Sequence, residues 1–395
     1  MNILFLAPVP IIPSNGGVQR VTDTLSREFI RRGHKVTFLS TKKPYPGYPN
    51  ADFTDFSCPQ EYIIGLTSDK KKAIAYYLQL LKAYSIDIII CQDITSSCYT
   101  LLRRTPKNIR IITVYHSKPF GYRNLVGKYW KNNNPNSIRT RLLKCVMSLF
   151  PKLGEARYFL IEKRKFKKII EVSDKLCLLS SKYIIIINDF VGNYPRKLIS
   201  FGNPNSFDIP QNVDVFSKQN LVIFVGRIDM FVKNLKDFIK MWRIISEKNK
   251  EWRATIVGDG QDLDYLKKYS RENNIQRLEF VGNQTDVISY YKKAKFVCLT
   301  SVFEGWSMVL TEGMSYGCIP CVYGTYGAAY DIVDNNKCGF VTTPFSPEEM
   351  AEKIQSLIED ENLRQKFAFN AIEKVKMFTV EKIADKWEEL FDSLS

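Results

Sequence analysis

Two successive runs of short apolar strands alternating with amphipathic helices, separated by a polar, turn-rich stretch, predict an α/β protein with two Rossmann-like doubly wound domains facing each other across a cleft. Three observations carry this. The chain opens with a strand–loop–helix–strand unit, the mark of a parallel βαβ crossover. The same grammar restarts at Leu221, with a glycine after each of several strands. And 395 residues exceed one ordinary core but suit two domains of roughly 150–200 residues each.

In chain order, Ile3–Ala7 reads as a first strand, followed by a Pro- and Gly-rich loop holding Gly16-Gly17 and a helix over Val18–Arg32 that Gly33 closes. Lys35–Ser40 is the second strand. The glycine spacing is not Gly-x-Gly-x-x-Gly, so a dinucleotide fingerprint is absent. Helices near Asp69–Ala83 and Ser96–Arg104 alternate with strands at Ile86–Cys91 and Arg110–Tyr115. Tyr183–Ile187 is short and β-branched and reads as a further buried strand, after Lys175–Ser180. Polar residues from Phe201 to Gln219 mark the boundary. The expected units are 1–204, 205–379, and a C-terminal helix over 380–395 with Ile383, Trp387, Leu390 and Phe391 on one side. The second unit alternates strands at Leu221–Val225, Arg253–Val257, Leu278–Val281 and Phe296–Leu299 with helices at Asn234–Glu247, Asp262–Asn273 and Asp286–Lys293. Asp262-x-Asp264 opens a helix and reads as a helix start rather than a metal pair.

Charge is distributed unevenly. Residues 1–204 hold 33 Lys and Arg against 13 Asp and Glu, a net +20, and the remainder holds 24 against 28, a net −4. The first half is therefore expected to meet a polyanion. Its basic centre runs from residue 139 to 168, with Arg139, Arg141 and Lys144 among helically spaced apolar residues, then Lys163, Arg164, Lys165, Lys167 and Lys168. This reads either as a helix lying on an anionic membrane surface or as an ordinary helix with a solvated face. No nucleic-acid-binding motif accompanies the charge, and nucleic acid is not an expected partner. No apolar run reaches the ~18 residues of a membrane span, and the N-terminus lacks the basic segment of a signal peptide. Nine scattered cysteines without paired metal spacing suit a reduced, cytoplasmic setting.

The chemistry concentrates at the carboxyl ends of the predicted strands. In the stretch Ser301–Pro320, Glu304 falls in a loop and Glu312 on the following helix, where the amides of Met308, Val309 and Leu310 open an anion-favouring N-terminus. Gly226 precedes Arg227, a fork donor, and Lys233, a point charge, which together suit a diphosphate. Gly258 and Gly282 follow later strands at the same edge, and Glu312 is placed to accept from vicinal hydroxyls. His116, one of two histidines, directly follows a strand and is a candidate for function.

Phe224-Val-Gly-Arg-Ile-Asp229 with Lys233-Asn234, Val257-Gly-Asp-Gly260, Phe280-Val-Gly282, Gly339-Phe340 and above all the Glu-x7-Glu of Ser301–Pro320 resemble the retaining glycosyltransferases of family 4, with the GT-B fold. The resemblance implies that Arg227 and Lys233 neutralise the donor diphosphate, that Glu312 holds the nucleotide ribose, and that Glu304 and His116 lie beside the donor sugar. It places Gly17 and the amides of residues 308–310 near phosphate or sugar. Gly313 stands where the family usually has alanine, and Ser117 where aspartate often follows the histidine. The implied reaction needs no metal or cofactor. It moves a sugar from a nucleotide-sugar, UDP-linked by frequency in the family, to a glycan or polyprenyl-diphosphate-linked acceptor in surface polysaccharide or glycolipid synthesis. The enzyme would be peripheral on the inner face of the plasma membrane, its C-terminal helix crossing back to the first domain. Two rivals stay open: a nucleotide-sugar 2-epimerase of the same fold, and an inactive protein binding anionic surfaces or nucleic acid.

Overall fold

The structure, a computed structural model, describes residues 1–13, 16–43, 58–63, 65–66, 68–123 and 150–394. The chain divides into two compact units, one of Met1–Ile12 with Phe29–Ser200 and one of Pro13–Glu28 with Phe201–Ser395.

The first unit runs β1 (Asn2–Ala7), α1 (Gly17–Arg31), β2 (Lys35–Ser40), β3 (Gln60–Tyr62), α2 (Lys70–Ala83), β4 (Ile88–Cys91), α3 (Ser96–Leu102), β5 (Arg110–Tyr115), α4 (Pro151–Val172), β6 (Lys175–Leu178), α5 (Ser181–Phe190) and β7 (Leu198–Ser200). Most of α1 belongs by its contacts to the second unit. The seven strands are parallel in the order β3-β2-β1-β4-β5-β6-β7, so the direction of winding reverses between β1 and β4. Ile3, Leu4, Phe5 and Leu6 are fully buried, as expected of a parallel strand covered on both faces. Phe5 stacks on Phe29 with ring centroids 6.3 Å apart.

The isoleucine-rich run over residues 183–187 is not a strand but the middle of α5. Leu178 ends β6, and the Ser180 hydroxyl accepts from the Lys182 amide at 3.2 Å, which caps a helix. Tyr183 and Ile187, one helical turn apart, are fully buried while Ile185 is 59% exposed. The burial period is therefore helical, hidden by four identical neighbours.

The second unit runs β8 (Gln219–Val225), α6 (Leu235–Lys248), β9 (Arg253–Val257), α7 (Leu263–Glu272), β10 (Leu278–Gly282), α8 (Ile288–Lys293), β11 (Ala294–Leu299), α9 (Met308–Ser315), β12 (Ile319–Tyr323), α10 (Ala328–Ile332), β13 (Phe340–Thr342), α11 (Pro347–Glu359), α12 (Glu361–Val375) and α13 (Val380–Asp392). Its parallel sheet has the order β10-β9-β8-β11-β12-β13, reversing between β8 and β11. Trp242 fills the core from α6 and donates its indole N–H to the Gln276 carbonyl at 2.8 Å, so its burial leaves no polar atom unpaired. Trp387 of α13 packs edge-on against Phe201 at 5.0 Å.

Candidate active site

Ligands of doubly wound sheets bind outside the carboxyl ends of the strands where winding reverses. In the second unit that point lies between β8 and β11, and the loops after these two strands carry Lys233 and Glu304. Asp229 shapes the first loop. Its Oδ1 accepts from the amides of Phe231 at 2.9 Å and Val232 at 3.1 Å, and its Oδ2 accepts from Arg227 Nη2 at 3.2 Å. The Lys233 amide then closes on the Asp229 carbonyl at 2.8 Å. The second loop is tied to the first: the Val302 amide donates to the Val232 carbonyl at 2.7 Å, and the Thr300 hydroxyl bridges the carbonyls of Lys233 and Asn234, each at 3.1 Å.

These ties bring Lys233 Nζ to 2.5 Å from Glu304 Oε1, which also accepts from the Ser301 hydroxyl at 2.7 Å. The Lys233 and Glu304 side chains are 18% and 15% exposed, whereas Arg227, paired with Asp229, is 70% exposed. Glycines make room beneath. A Cβ on Gly258, whose φ is +140°, would lie 2.0 Å from the Gly226 carbonyl oxygen, so only glycine lets the β8 and β9 turns approach. Asp262 occupies the helix-start position of α7, but its carboxylate does not cap that helix. It accepts from the Met230 amide at 2.8 Å and so braces the loop that presents Lys233.

The helix after β11 supplies the second carboxylate. Ser307 precedes α9 but turns its hydroxyl to Tyr326 at 2.6 Å, so the Ser307 side chain does not cap the opening amides. The Leu310 amide is engaged by the Ser307 carbonyl at 3.1 Å, which leaves Met308 and Val309 as the better-placed anion donors of the three. Glu312 is 3% exposed. Its Oε2 accepts from the Tyr291 hydroxyl and its Oε1 from Arg20 Nη1, each at 3.0 Å. Burial and the facing Glu312 carboxylate push the Tyr291 hydroxyl well above its ordinary range, so it acts as a donor at any physiological pH. Gly17 opens α1 beside Met308, where an added Cβ would lie 3.9 Å from Met308 Cγ. Gly313 lies against Val297, whose Cγ1 would be 3.0 Å from an added Cβ, so even alanine would require Val297 to shift slightly.

Residues 205–374 match the family model described as glycosyl transferases group 1, and residues 15–150 match that of glycosyltransferase family 4. The amylovoran biosynthesis glycosyltransferase AmsD of Erwinia amylovora is 30% identical over 290 residues, covering 67% of this chain and 80% of its own. The chain belongs to the family-4 glycosyltransferases. An alpha-1,4-N-acetyl-D-galactosaminyltransferase of Campylobacter jejuni, whose name specifies a diphospho-undecaprenol-linked glycan, is 30% identical over 220 residues, 55% of this chain and 59% of its own. Among solved structures, Anabaena HepE in complex with UDP superposes with a TM-score of 0.74 over the whole of both chains at 17% identity, which gives the GT-B fold.

In the first unit of this glycosyltransferase, His116 follows β5, next to the reversal between β1 and β4. Its Nε2 pairs with Gln92 Oε1 at 2.5 Å, while its buried Nδ1 has no partner among the described residues. Burial lowers its pKa to about 4, so the ring is neutral near pH 7. With Nε2–H donating to Gln92, Nδ1 carries a lone pair. Gln92 was not singled out from the sequence; its place one residue beyond the β4 strand is the signal that marks it.

Arg139, Arg141 and Lys144 lie outside the described residues. Lys163, Arg164, Lys165, Lys167 and Lys168 lie on α4. Arg164, Lys167 and Lys168 are exposed, and Lys165 stands over the Tyr115 ring at 5.3 Å and 3.8 Å from Asp93. Beside them the outer face of α4 exposes Leu153 (56%), Leu160 (51%) and Ile161 (51%). Beneath, burial raises the Glu162 carboxyl, which accepts from the Tyr115 hydroxyl at 3.2 Å. Among the described residues no helix is long and apolar enough to cross a membrane, and no group of three His, Cys, Asp or Glu could hold a metal ion.

Proposed function

We propose that this glycosyltransferase moves a sugar, with retention of anomeric configuration, from a nucleotide-sugar to a lipid-linked or polysaccharide acceptor in the synthesis of a bacterial-type surface glycan. The observation that carries the donor half is the Lys233–Glu304 pair at the carboxyl edge of the second sheet. A diphosphate arriving there meets an ammonium held by loop geometry, a second cation in the exposed Arg227, and the amides that open α9. Positive groups aimed at the departing diphosphate stabilise charge as it develops, and such preorganised electrostatics usually contribute more to the rate than any other single effect. No metal is called for, because the two cations supply that charge. Glu304, released from part of its bond to Lys233, accepts from a sugar hydroxyl. Neutral His116 serves as a hydrogen-bonding group rather than a cation. The donor nucleotide is taken to be UDP, in line with the UDP complex of the HepE structure.

For the acceptor half, the relatives named for amylovoran and for a diphospho-undecaprenol-linked glycan support a surface-glycan product. The alpha linkage in the latter name favours retention. The exposed cations and leucines of α4 suit an anionic membrane face, in keeping with an enzyme on the inner surface of the plasma membrane. A screen of UDP-, GDP- and ADP-sugars for nucleoside diphosphate release, with and without polyprenyl-diphosphate-linked acceptors, tests the proposal. Release from one donor, accelerated by acceptor and insensitive to EDTA, is expected, and NMR of the first-formed product reads its anomeric configuration. Conversion of a nucleotide-sugar to its epimer without acceptor would replace transfer with epimerisation.

A further inference from the structure

Resting on the reading of Glu312 as the ribose carboxylate, we infer that Arg20 is a positioning residue for nucleotide recognition, holding the Glu312 carboxylate oriented for the ribose hydroxyls. The residue belongs to the part of α1 that clusters with the second unit, and it lies 292 positions from its partner in sequence. Nη1 of Arg20 donates to Glu312 Oε1 at 3.0 Å, and the Tyr291 hydroxyl donates to Oε2 at 3.0 Å. The carboxylate is thus gripped at both oxygens, which fixes its plane.

An ionised carboxylate offers about four lone-pair directions. Two are taken, and two remain for vicinal hydroxyls. Burial matters as much as geometry. Glu312 is 3% exposed, and a carboxylate so far removed from water is costly in its charged form unless a cation faces it. Tyr291 contributes a hydrogen bond but no charge. Arg20 is the cation, and its 40% exposure lets it grip Glu312 while half-open to solvent. Gly17, one turn earlier on α1, lies against Met308 at the start of α9, so the same helix meets α9 at two places. Without Arg20 the Glu312 Oε1 loses its partner, and the carboxylate plane is held at one oxygen only. A cation that merely plugged the site would have the opposite effect when removed.

The test compares UDP with 2′-deoxy-UDP, and the matching GDP and ADP pairs, by calorimetric titration of the full chain. Wild-type protein is expected to bind the ribonucleotide about tenfold or more tighter than its 2′-deoxy analogue, the scale of one hydrogen bond to a charged group. Arg20→Ala is expected to weaken the ribonucleotide by a similar factor, leave the deoxy analogue nearly unchanged, and so abolish the preference. Arg20→Lys should restore part of it. In the Glu312→Gln background Arg20→Ala should add little, since the two act as a unit. Retained ribose preference in a folded Arg20→Ala protein, or tighter binding of either nucleotide, overturns the inference. Binding of both nucleotides by wild type without preference overturns it as well, by removing the ribose contact. Failure of wild type to bind any nucleoside diphosphate instead removes the donor assignment on which it rests.

Discussion

Replacement of Lys233 by alanine tests the donor site through two separable effects. Lys233 and Glu304 are 18% and 15% exposed, which sets them apart from surface ion pairs worth about 0–1 kcal/mol. A hydrogen bond to a charged group contributes about 1.5–3 kcal/mol. Truncation leaves Glu304 Oε1 with the Ser301 hydroxyl at 2.7 Å but removes its facing cation. The expected loss of folding stability is therefore on the order of 1–3 kcal/mol, read as a melting temperature lower by a few degrees. The catalytic loss is larger in consequence. Removing one preorganised stabiliser of developing charge costs about 100- to 1,000-fold in turnover, so nucleoside diphosphate release at saturating donor should fall at least ~100-fold. Measuring both quantities on the same preparation decides the matter. A folded Lys233→Ala protein that is less stable yet turns over within about threefold of wild type would reduce the pair to a structural tie, and the reasoning for the donor site would be refuted.

Gly258→Ala places a Cβ 2.0 Å from the Gly226 carbonyl at φ +140°, so it should cost about 3 kcal/mol or more and appear as lost soluble yield or a sharply lower melting point; ordinary melting would contradict the close approach. His116 has a folded pKa of about 4 against about 6.5 unfolded. The unfolded chain therefore binds the proton first, and stability present above pH 6.5 is lost as pH falls toward 4. In urea titrations His116→Gln should show a shallower decline over that window; parallel profiles would mean the ring is not held neutral. Reversing the exposed Arg164 and Lys167 to glutamate should lower retention on vesicles containing anionic lipid at least ~10-fold at low salt, with melting unchanged, since each near-surface cation is worth about 1 kcal/mol; unchanged retention would leave α4 an ordinary solvated helix.

Much of this architecture is written in local pattern. Glycines at or just after strand ends, as at Gly226, Gly258 and Gly282, mark the carboxyl edge without reference to any other part of the chain, and the site loops hang from that edge. Local pattern misled where composition was uniform. Four consecutive isoleucines carry no period of their own, so the helix α5 was settled by the Ser180 cap and by burial of Tyr183 and Ile187, features that matter only once β6 has ended at Leu178. Asp262 shows the same limit at single-residue scale. Its place before a helix suggested a role there, but the amide it accepts from belongs to Met230 in a different loop.

What the sequence withheld is pairing across distance. Lys233 and Glu304 are 71 positions apart and meet because β8 and β11 are neighbours in the sheet, an order that strand periodicity does not encode. Arg20 and Glu312 meet because most of α1 clusters with the second unit, although α1 follows the first strand of the first sheet. Both pairs set a cation against a carboxylate that has little water around it, and that carboxylate alone would be costly to bury. That cost is what makes the pairs informative. A chain selected for stability alone would do as well with apolar residues at these places, and replacing such a pair by well-packed hydrophobic side chains is often neutral or stabilising. Charges kept at the reversal of a doubly wound sheet are therefore better explained by a ligand that exchanges with them than by the fold they interrupt.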